Sequence, residues 1–219
     1  GGVYSLDDHV ADLRRLILDR ELAPAAVVGH SYGGVVALKL AGRWPELVDA
    51  LVVAEPPVLG LFGTVPPTPP QLLKLALRRP RTALGILELG VRSLEPAAEA
   101  LERGDEEAAM RRMGVGILGE AAFEALGEER RAQVLANQTV EELRSPEALS
   151  SIDTETVAAI RCPVLLLGGD RSPPLFARLL DYLQELLPEA ERATIPDASH
   201  IVHEDNPDAF HRAVESFLD

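Results

Sequence analysis

The stretch from Ala25 to Arg43 constrains the fold of this chain more than any other. Ala25 to Gly29 is a short, unbroken apolar run, the mark of a strand buried on both faces. Gly33 to Arg43 is apolar nearly all round and reads as a buried helix. Gly29-His30-Ser31-Tyr32-Gly33-Gly34 leaves room between them only for a tight turn. A buried strand that turns at once into a buried helix needs covering layers on both sides, which a parallel sheet provides. The alternation recurs. Val48 to Ala54 reads as a second buried strand, halted by Glu55-Pro56-Pro57. Strand texture returns at Pro163 to Leu167 and briefly at Ala193 to Ile195. Helices are expected from about Pro174 to Leu187 and from about Pro207 to Leu218, the last with Phe210, Val214 and Phe217 or Leu218 facing inward. At the start, Tyr4-Ser5-Leu6-Asp7-Asp8 reads as a helix start with a Ser5–Asp8 capping box, and Leu6, Val10, Leu13 and Ile17 fall on one face. The expected class is α/β, a mostly parallel sheet flanked by helices.

The texture changes in the middle. Leu59 to Pro70 is rich in proline and reads as a loop, and Gln71 to about Ser151 is helical in pattern. Residues 1–58 and 152–219 are expected to form the core, with 59–151 as a helical cap or lid over one end of the sheet. The paired arginines at 78–79, 111–112 and 130–131 sit among glutamates and read as solvated helix faces. With 35 acidic against 21 basic side chains, the formal charge of −14 argues against nucleic acid or an anionic membrane as the main partner. The single cysteine, Cys162, excludes an intramolecular disulfide and a cysteine-based zinc site, and reads as a buried packing residue. No apolar run approaches the roughly 20 residues that span a bilayer, and Gly1 to Asp8 lacks the basic and apolar parts of a signal peptide. The expectation is a soluble, cytoplasmic protein with a small-molecule substrate.

The turn carries the chemistry. Gly29-His30-Ser31-Tyr32-Gly33 has the G-x-S-x-G pattern of a nucleophile elbow, in the strand–turn–helix context that pattern requires. Close packing of strand and helix is expected to forbid side chains at Gly29 and Gly33. Ser31 is then lifted to the carboxyl end of the sheet, where the start of the following helix favours developing negative charge. A serine hydroxyl needs a base. His200, in the loop after the last strand, lies at the same end of the sheet and is the candidate. His30 is read as supporting the turn, and His9 and His211 as surface or packing residues on helices. His203 with Glu204 and Asp205 lacks metal-ligand spacing, so no metal is expected. The base needs a carboxylate to hold its tautomer. Glu55 and Asp170 both close strands, and position alone does not separate them.

Gly-His-Ser-Tyr-Gly-Gly, Arg43-Trp44-Pro45-Glu46-Leu47-Val48, Glu55-Pro56-Pro57, Leu165-Leu166-Leu167-Gly168-Gly169 and Ile195-Pro196-x-x-x-His200 together resemble the α/β-hydrolase superfamily. The resemblance is specific at the two ends and loose across the helical middle. It implies a serine hydrolase acting on a small ester-like substrate, such as a carboxylic ester or lactone, through an acyl-enzyme and without a cofactor. In many relatives the acid lies in a Gly-x-x-Asp turn after the strand equivalent to Val164–Leu167, where this chain has Ser172, with Asp170 two places early. Other members carry the acid after the strand that follows the nucleophile helix, which matches Glu55. The expectation therefore favours Ser31, His200 and Glu55, with Asp170 as the alternative acid. The resemblance also implies that the Tyr32 N–H is one oxyanion donor.

Similar proteins begin with further strands and a His-Gly loop that would supply the second oxyanion donor. These are not found ahead of Gly29, which leaves Ala25–Val28 as an expected apolar sheet edge. Three explanations are open: an N-terminal segment of a longer product that covers the edge, a homodimer, or a catalytically impaired remnant acting as a binding module. Hydrolysis of a carbon–carbon bond and perhydrolysis are the alternative activities on the same fold.

Overall fold

A computed structural model of the protein describes residues 5–136 and 152–219. Tyr4 and the end of the helical stretch, 137–151, lie outside the described residues. The first helix, α1 (Leu6–Asp19), begins at a reciprocal cap: the Asp8 N–H donates to Ser5 Oγ at 3.2 Å, and the Ser5 N–H donates to Asp8 Oδ2 at 2.8 Å. Its buried face is Leu6, Val10 and Ile17, with Leu13 partly buried.

Four parallel strands follow, β1 (Ala25–His30), β2 (Val48–Ala54), β3 (Val164–Gly169) and β4 (Glu191–Ile195), in the order β1-β2-β3-β4. The connection from β1 to β2 is the helix α2 (Tyr32–Arg43), and β3 is joined to β4 by the helix Pro174–Leu186. Register aligns the carboxyl ends: His30 is opposite Ala54, Ala54 opposite Leu167, and Gly169 opposite Ile195. The hydrogen bonding continues one residue past three strands. The N–H of Ser31 reaches Ala54 O at 2.8 Å, that of Glu55 reaches Leu167 O at 3.0 Å, and that of Asp170 reaches Ile195 O at 3.2 Å. Ser31, Glu55 and Asp170 are thus held by the sheet itself.

Strand alternation divides the core. Leu51, Val53 and Leu166 face the cluster built with α1, α2 and the helix Pro174–Leu186. Val52, Ala54, Leu165, Leu167 and Ile195 face the final helix, Pro207–Leu218, through Ala209, Phe210, Val214 and Phe217. Leu218 stays 43% exposed, so Phe217 is the inward residue at the end of that helix. The strand β1 holds the edge position expected of Ala25–Val28, and with it loses the two-sided burial that its apolar run suggests. Ala26 and Val28 are exposed, Val28 by 47%. The strand lies at the sheet edge, and among the described residues the second cluster draws on β2, β3 and β4 but not on β1. An apolar run looks the same in sequence whether one face or both are covered.

In the helical stretch, helices run Pro69–Arg78, Pro80–Leu89, Glu95–Glu102, Glu106–Leu118, Glu120–Ala125 and Glu128–Ala136. Leu75, Ala83 and Ile86 join the main core, while Ala97, Ala100, Leu101, Ala109 and Met113 form a cluster of their own. Among the described residues, no helix is long and apolar enough to cross a membrane.

The buried face of α2 includes one charge. Lys39 is 3% exposed, and its ammonium meets Asp7 Oδ1 on α1 at 2.8 Å, where Arg43 also binds at 2.6 Å. The hydrogen bond from Lys39 holds the Asp7 carboxyl below its ordinary range. Removing the carboxylate strands a buried ammonium, whereas replacing the lysine by an apolar chain does not. Asp7→Ala is expected to lower unfolding stability by about 1–3 kcal/mol, and Lys39→Met to change it by less than about 1 kcal/mol. Urea unfolding of both variants checks this, and equal losses would contradict it.

Candidate active site

Ser31 stands between β1 and α2 with φ 50° and ψ −123°, in the positive-φ region that side chains rarely adopt. Such a backbone costs on the order of 1–3 kcal/mol and persists only where its surroundings enforce it. Here the Ser31 N–H is tied to Ala54 O, and Ser31 O accepts from Gly34 N at 2.9 Å and from Val35 N at 3.3 Å. The turn closes only over a bare Gly29, where a Cβ would lie 2.5 Å from Gly33 O and 2.8 Å from Gly34 Cα. Gly33 differs from expectation: a Cβ there would meet nothing within 4 Å. The second tight position is Gly34, where a Cβ would lie 3.1 Å from Pro56 Cβ and 3.3 Å from Gly29 O. The crowding comes from the first turn of α2 passing over β1 and the proline after β2, and Gly33 points away from both.

His200 is 3% exposed and is brought to Ser31 by the loop after β4. Its Nε2 lies 2.9 Å from Ser31 Oγ, and its Nδ1 lies 2.8 Å from Glu55 Oε2. Glu55 is 1% exposed, and its second oxygen, Oε1, accepts from the Gly169 N–H at 2.8 Å. Like Ser31, Glu55 has a positive φ, 48°. A carboxylate can only accept, so Nδ1 donates to Glu55 and the neutral ring presents Nε2 as an acceptor to the Ser31 hydroxyl. The three groups form one directed chain of hydrogen bonds.

The alternative acid lies elsewhere. Asp170 Oδ1 accepts from the Ala198 N–H at 3.2 Å, and the Arg171 N–H donates to Ala198 O at 2.9 Å. Asp170 thus braces the loop that carries His200. Other braces on this loop were not anticipated from sequence. Asp205 Oδ2 accepts from both Ser199 N–H (2.7 Å) and Ser199 Oγ–H (2.6 Å), Asn206 Nδ2 donates to Pro196 O at 2.9 Å, and Arg171 pairs with Asp197. The available sequence signal was Asp205-Asn206-Pro207, a helix start directly after the loop; Asn206 does cap the last helix. The Gly169 N–H and Phe176 were also missed. Phe176 lies against the His200 ring with centroids 4.3 Å apart.

Among the other histidines, His30 does more than support its own turn: its Nε2 lies 2.7 Å from the His200 carbonyl. His203 sits 4.7 Å from the His30 ring. Its neighbours Glu204 and Asp205 are engaged with Arg130 and Ser199. Among the described residues, no group of three His, Cys, Asp or Glu side chains could hold a metal ion. Tyr32 opens α2 and packs edge-on against His9, with ring centroids 5.5 Å apart. His211 is exposed. Cys162 is only partly buried, and that burial pushes its thiol pKa up, away from the reactive thiolate.

The elbow geometry separates its glycines. Gly29→Ala is expected to lower stability by about 2 kcal/mol or more through overpacking against backbone, while Gly33→Ala stays within about 1 kcal/mol. Thermal unfolding of the two variants reads the difference, and a Gly33→Ala loss as large as that of Gly29→Ala would contradict the packing described.

Comparison with known proteins adds the following. Residues 1–213 match the family model described as the alpha/beta hydrolase family. The sn-1-specific diacylglycerol lipase ABHD11 of Mus musculus is 29% identical over 94% of this chain and 63% of its own length. The same enzyme of Danio rerio is 29% identical over 99% of this chain and 64% of its own length. The chain thus spans 63–64% of these curated relatives. Among solved structures, MGS-M2, an alpha/beta hydrolase enzyme from a Medee basin deep-sea metagenome library, superposes with a TM-score of 0.68 at 21% identity, covering 99% of this chain and 73% of that one.

Proposed function

The chain belongs to the alpha/beta hydrolase family, and we propose that it is a serine hydrolase of ester-like substrates in which Ser31, His200 and Glu55 form the catalytic triad. One observation carries this reading: the unbroken hydrogen-bond chain from Ser31 Oγ through both nitrogens of His200 to Glu55, with Glu55 held in turn by the Gly169 N–H.

In this mechanism His200 Nε2 takes the Ser31 proton as Oγ attacks the substrate carbonyl, and the buried Glu55 carboxylate stabilises the imidazolium that results. The oxyanion forms at the amino terminus of α2, where the Tyr32 N–H is the proposed donor and the helix dipole adds to it. The imidazolium then protonates the leaving group, and water attacking with His200 as base releases the acid and restores Ser31. The stretch 59–151, with its described helices between Pro69 and Ala136, is the lid in this reading and sets substrate choice. Its Leu and Ala content favours an uncharged, partly apolar acyl or alcohol group. The name of the mouse and zebrafish relatives, sn-1-specific diacylglycerol lipase, is in keeping with a carboxylic ester. An acidic chain with one cysteine suits a reducing, cytoplasmic setting.

A fluorophosphonate probe is expected to add one adduct mass, mapped to Ser31 and lost in Ser31→Ala. Glu55→Gln should slow labelling by roughly 10³- to 10⁴-fold, the scale for an orienting carboxylate. Asp170→Asn should slow it by less than about tenfold, since only a loop brace is weakened. A well-folded protein that takes no label would contradict the hydrolase reading, and the reverse ranking of the two variants would reassign the acid.

A further inference from the structure

We propose that His30 is a positioning residue for the triad: its Nε2–H grips the main-chain carbonyl of His200 and fixes the distance between the His200 ring and Ser31. The inference rests on the catalytic role proposed for Ser31 and His200.

The geometry is a closed loop. His30 and Ser31 are consecutive, at the end of β1 and in the elbow. Ser31 Oγ meets the ring of His200 at 2.9 Å, while the His30 side chain meets the carbonyl of the same residue at 2.7 Å. The catalytic histidine is therefore held at side chain and main chain by two adjacent residues, and the sheet holds both of those through the pairing of His30 with Ala54 and the Ser31 N–H bond to Ala54. The other braces of the loop 196–200 come from the residues after β3 and from Asp205 and Asn206, none of them next to Ser31 in the chain. The His30 bond is the brace that refers the loop directly to the nucleophile.

A carbonyl oxygen only accepts, so His30 must carry a proton on Nε2. The ring also has to stay neutral. It packs between two other histidines, with ring centroids 4.8 Å from His200 and 4.7 Å from His203. A cation there would oppose the imidazolium that His200 must become. Burial above all, then His200, presses the His30 pKa down to about 3. The bond to the His200 carbonyl works the other way, and His203 and Arg130, the latter paired with Glu204, add to the lowering. His30 thus remains a neutral donor at neutral pH.

Two variants separate a donor from a filler. His30→Gln keeps an N–H near the position of Nε2, and His30→Phe keeps the ring volume without it. His30→Phe is expected to slow fluorophosphonate labelling of Ser31 by roughly ten- to a hundredfold, the cost of misplacing a catalytic group by about an ångström. With a soluble chromogenic ester, that loss should fall on kcat with KM within about twofold, because His30 touches no substrate. His30→Gln should restore labelling to within about threefold of the wild type. Labelling of His30→Phe at the wild-type rate, or His30→Gln as slow as His30→Phe, would overturn the proposal.

A measurement on the unaltered protein keeps the inference open to refutation if His30→Phe fails to fold. Long-range ¹H–¹⁵N spectra of the histidine rings should show His30 as the Nε2–H tautomer, without titration between pH 5 and 9. An Nδ1–H tautomer, or a proton gained in that range, would refute it. If the wild-type protein takes no label at Ser31, the hydrolase reading fails, and the tautomer still reports on the His30 bond by itself.

Discussion

The structure turns on a carboxylate buried where water cannot reach it. Glu55 is 1% exposed, and an isolated charge in such a place would cost several kcal/mol or simply be neutralised. It is tolerated because both oxygens are matched, Oε2 by His200 Nδ1 and Oε1 by the Gly169 N–H. These two partners come from different segments far along the chain, the end of β3 and the loop after β4. Satisfying one side chain directly after β2 therefore fixes the relative positions of three strand ends. A Cβ at Gly168 would approach Leu180 Cδ1 at 2.9 Å and Glu55 Oε1 at 3.4 Å, and one at Gly169 would lie 2.3 Å from Ala198 O. The paired glycines that end β3 leave room for Leu180 on one side and for the loop that carries His200 on the other.

The elbow supplies the second constraint. Positive φ at both Ser31 and Glu55 turns adjacent strand ends toward the same point above the sheet. Neither residue is a glycine, so the hydrogen bonds beyond the strand ends must hold both backbones in place. The His200 loop is fastened independently, through Asp170, Asp205 and Asn206. Held strand ends, a braced loop and the His30 bond to the His200 carbonyl set the Ser31–His200 distance, the pre-organisation that the proposed general-base activation of Ser31 calls for.

Much of this was readable in the residues, for identifiable reasons. The strand Val48–Ala54 and the helix Pro207–Leu218 lie where their apolar patterns and bounding prolines put them. Gly29 and Ser31 were legible because a strand–turn–helix junction allows few solutions. Other features depend on three-dimensional register, which a linear pattern does not contain. Glu55 and Asp170 end neighbouring strands and look equivalent in sequence. They differ in space: Glu55 has a positive φ and its carboxylate meets His200 Nδ1 and the Gly169 N–H, whereas Asp170 lacks that backbone turn and its carboxylate meets the Ala198 N–H. The exposure of Val28 follows from the edge position of β1, which is expected from what precedes Gly29 and not from the apolar run itself. Gly33 and Gly34 are adjacent, and which of them is crowded depends on where Pro56 falls after β2. His30 has no periodicity to mark it, and its partner is a backbone atom 170 residues later.

The central claim is that His200 is held by Glu55 through a buried Nδ1–H bond, leaving Nε2 for Ser31. Proton NMR of the wild-type protein in water tests it directly. A resonance well downfield of the amide envelope, split in ¹⁵N-histidine-labelled protein and assigned to His200 Nδ1–H, is predicted. It should vanish in Glu55→Gln and persist in Asp170→Asn. A His200 ring protonated on Nε2 in the neutral form, or a downfield signal that survives Glu55→Gln and disappears in Asp170→Asn, would contradict the account.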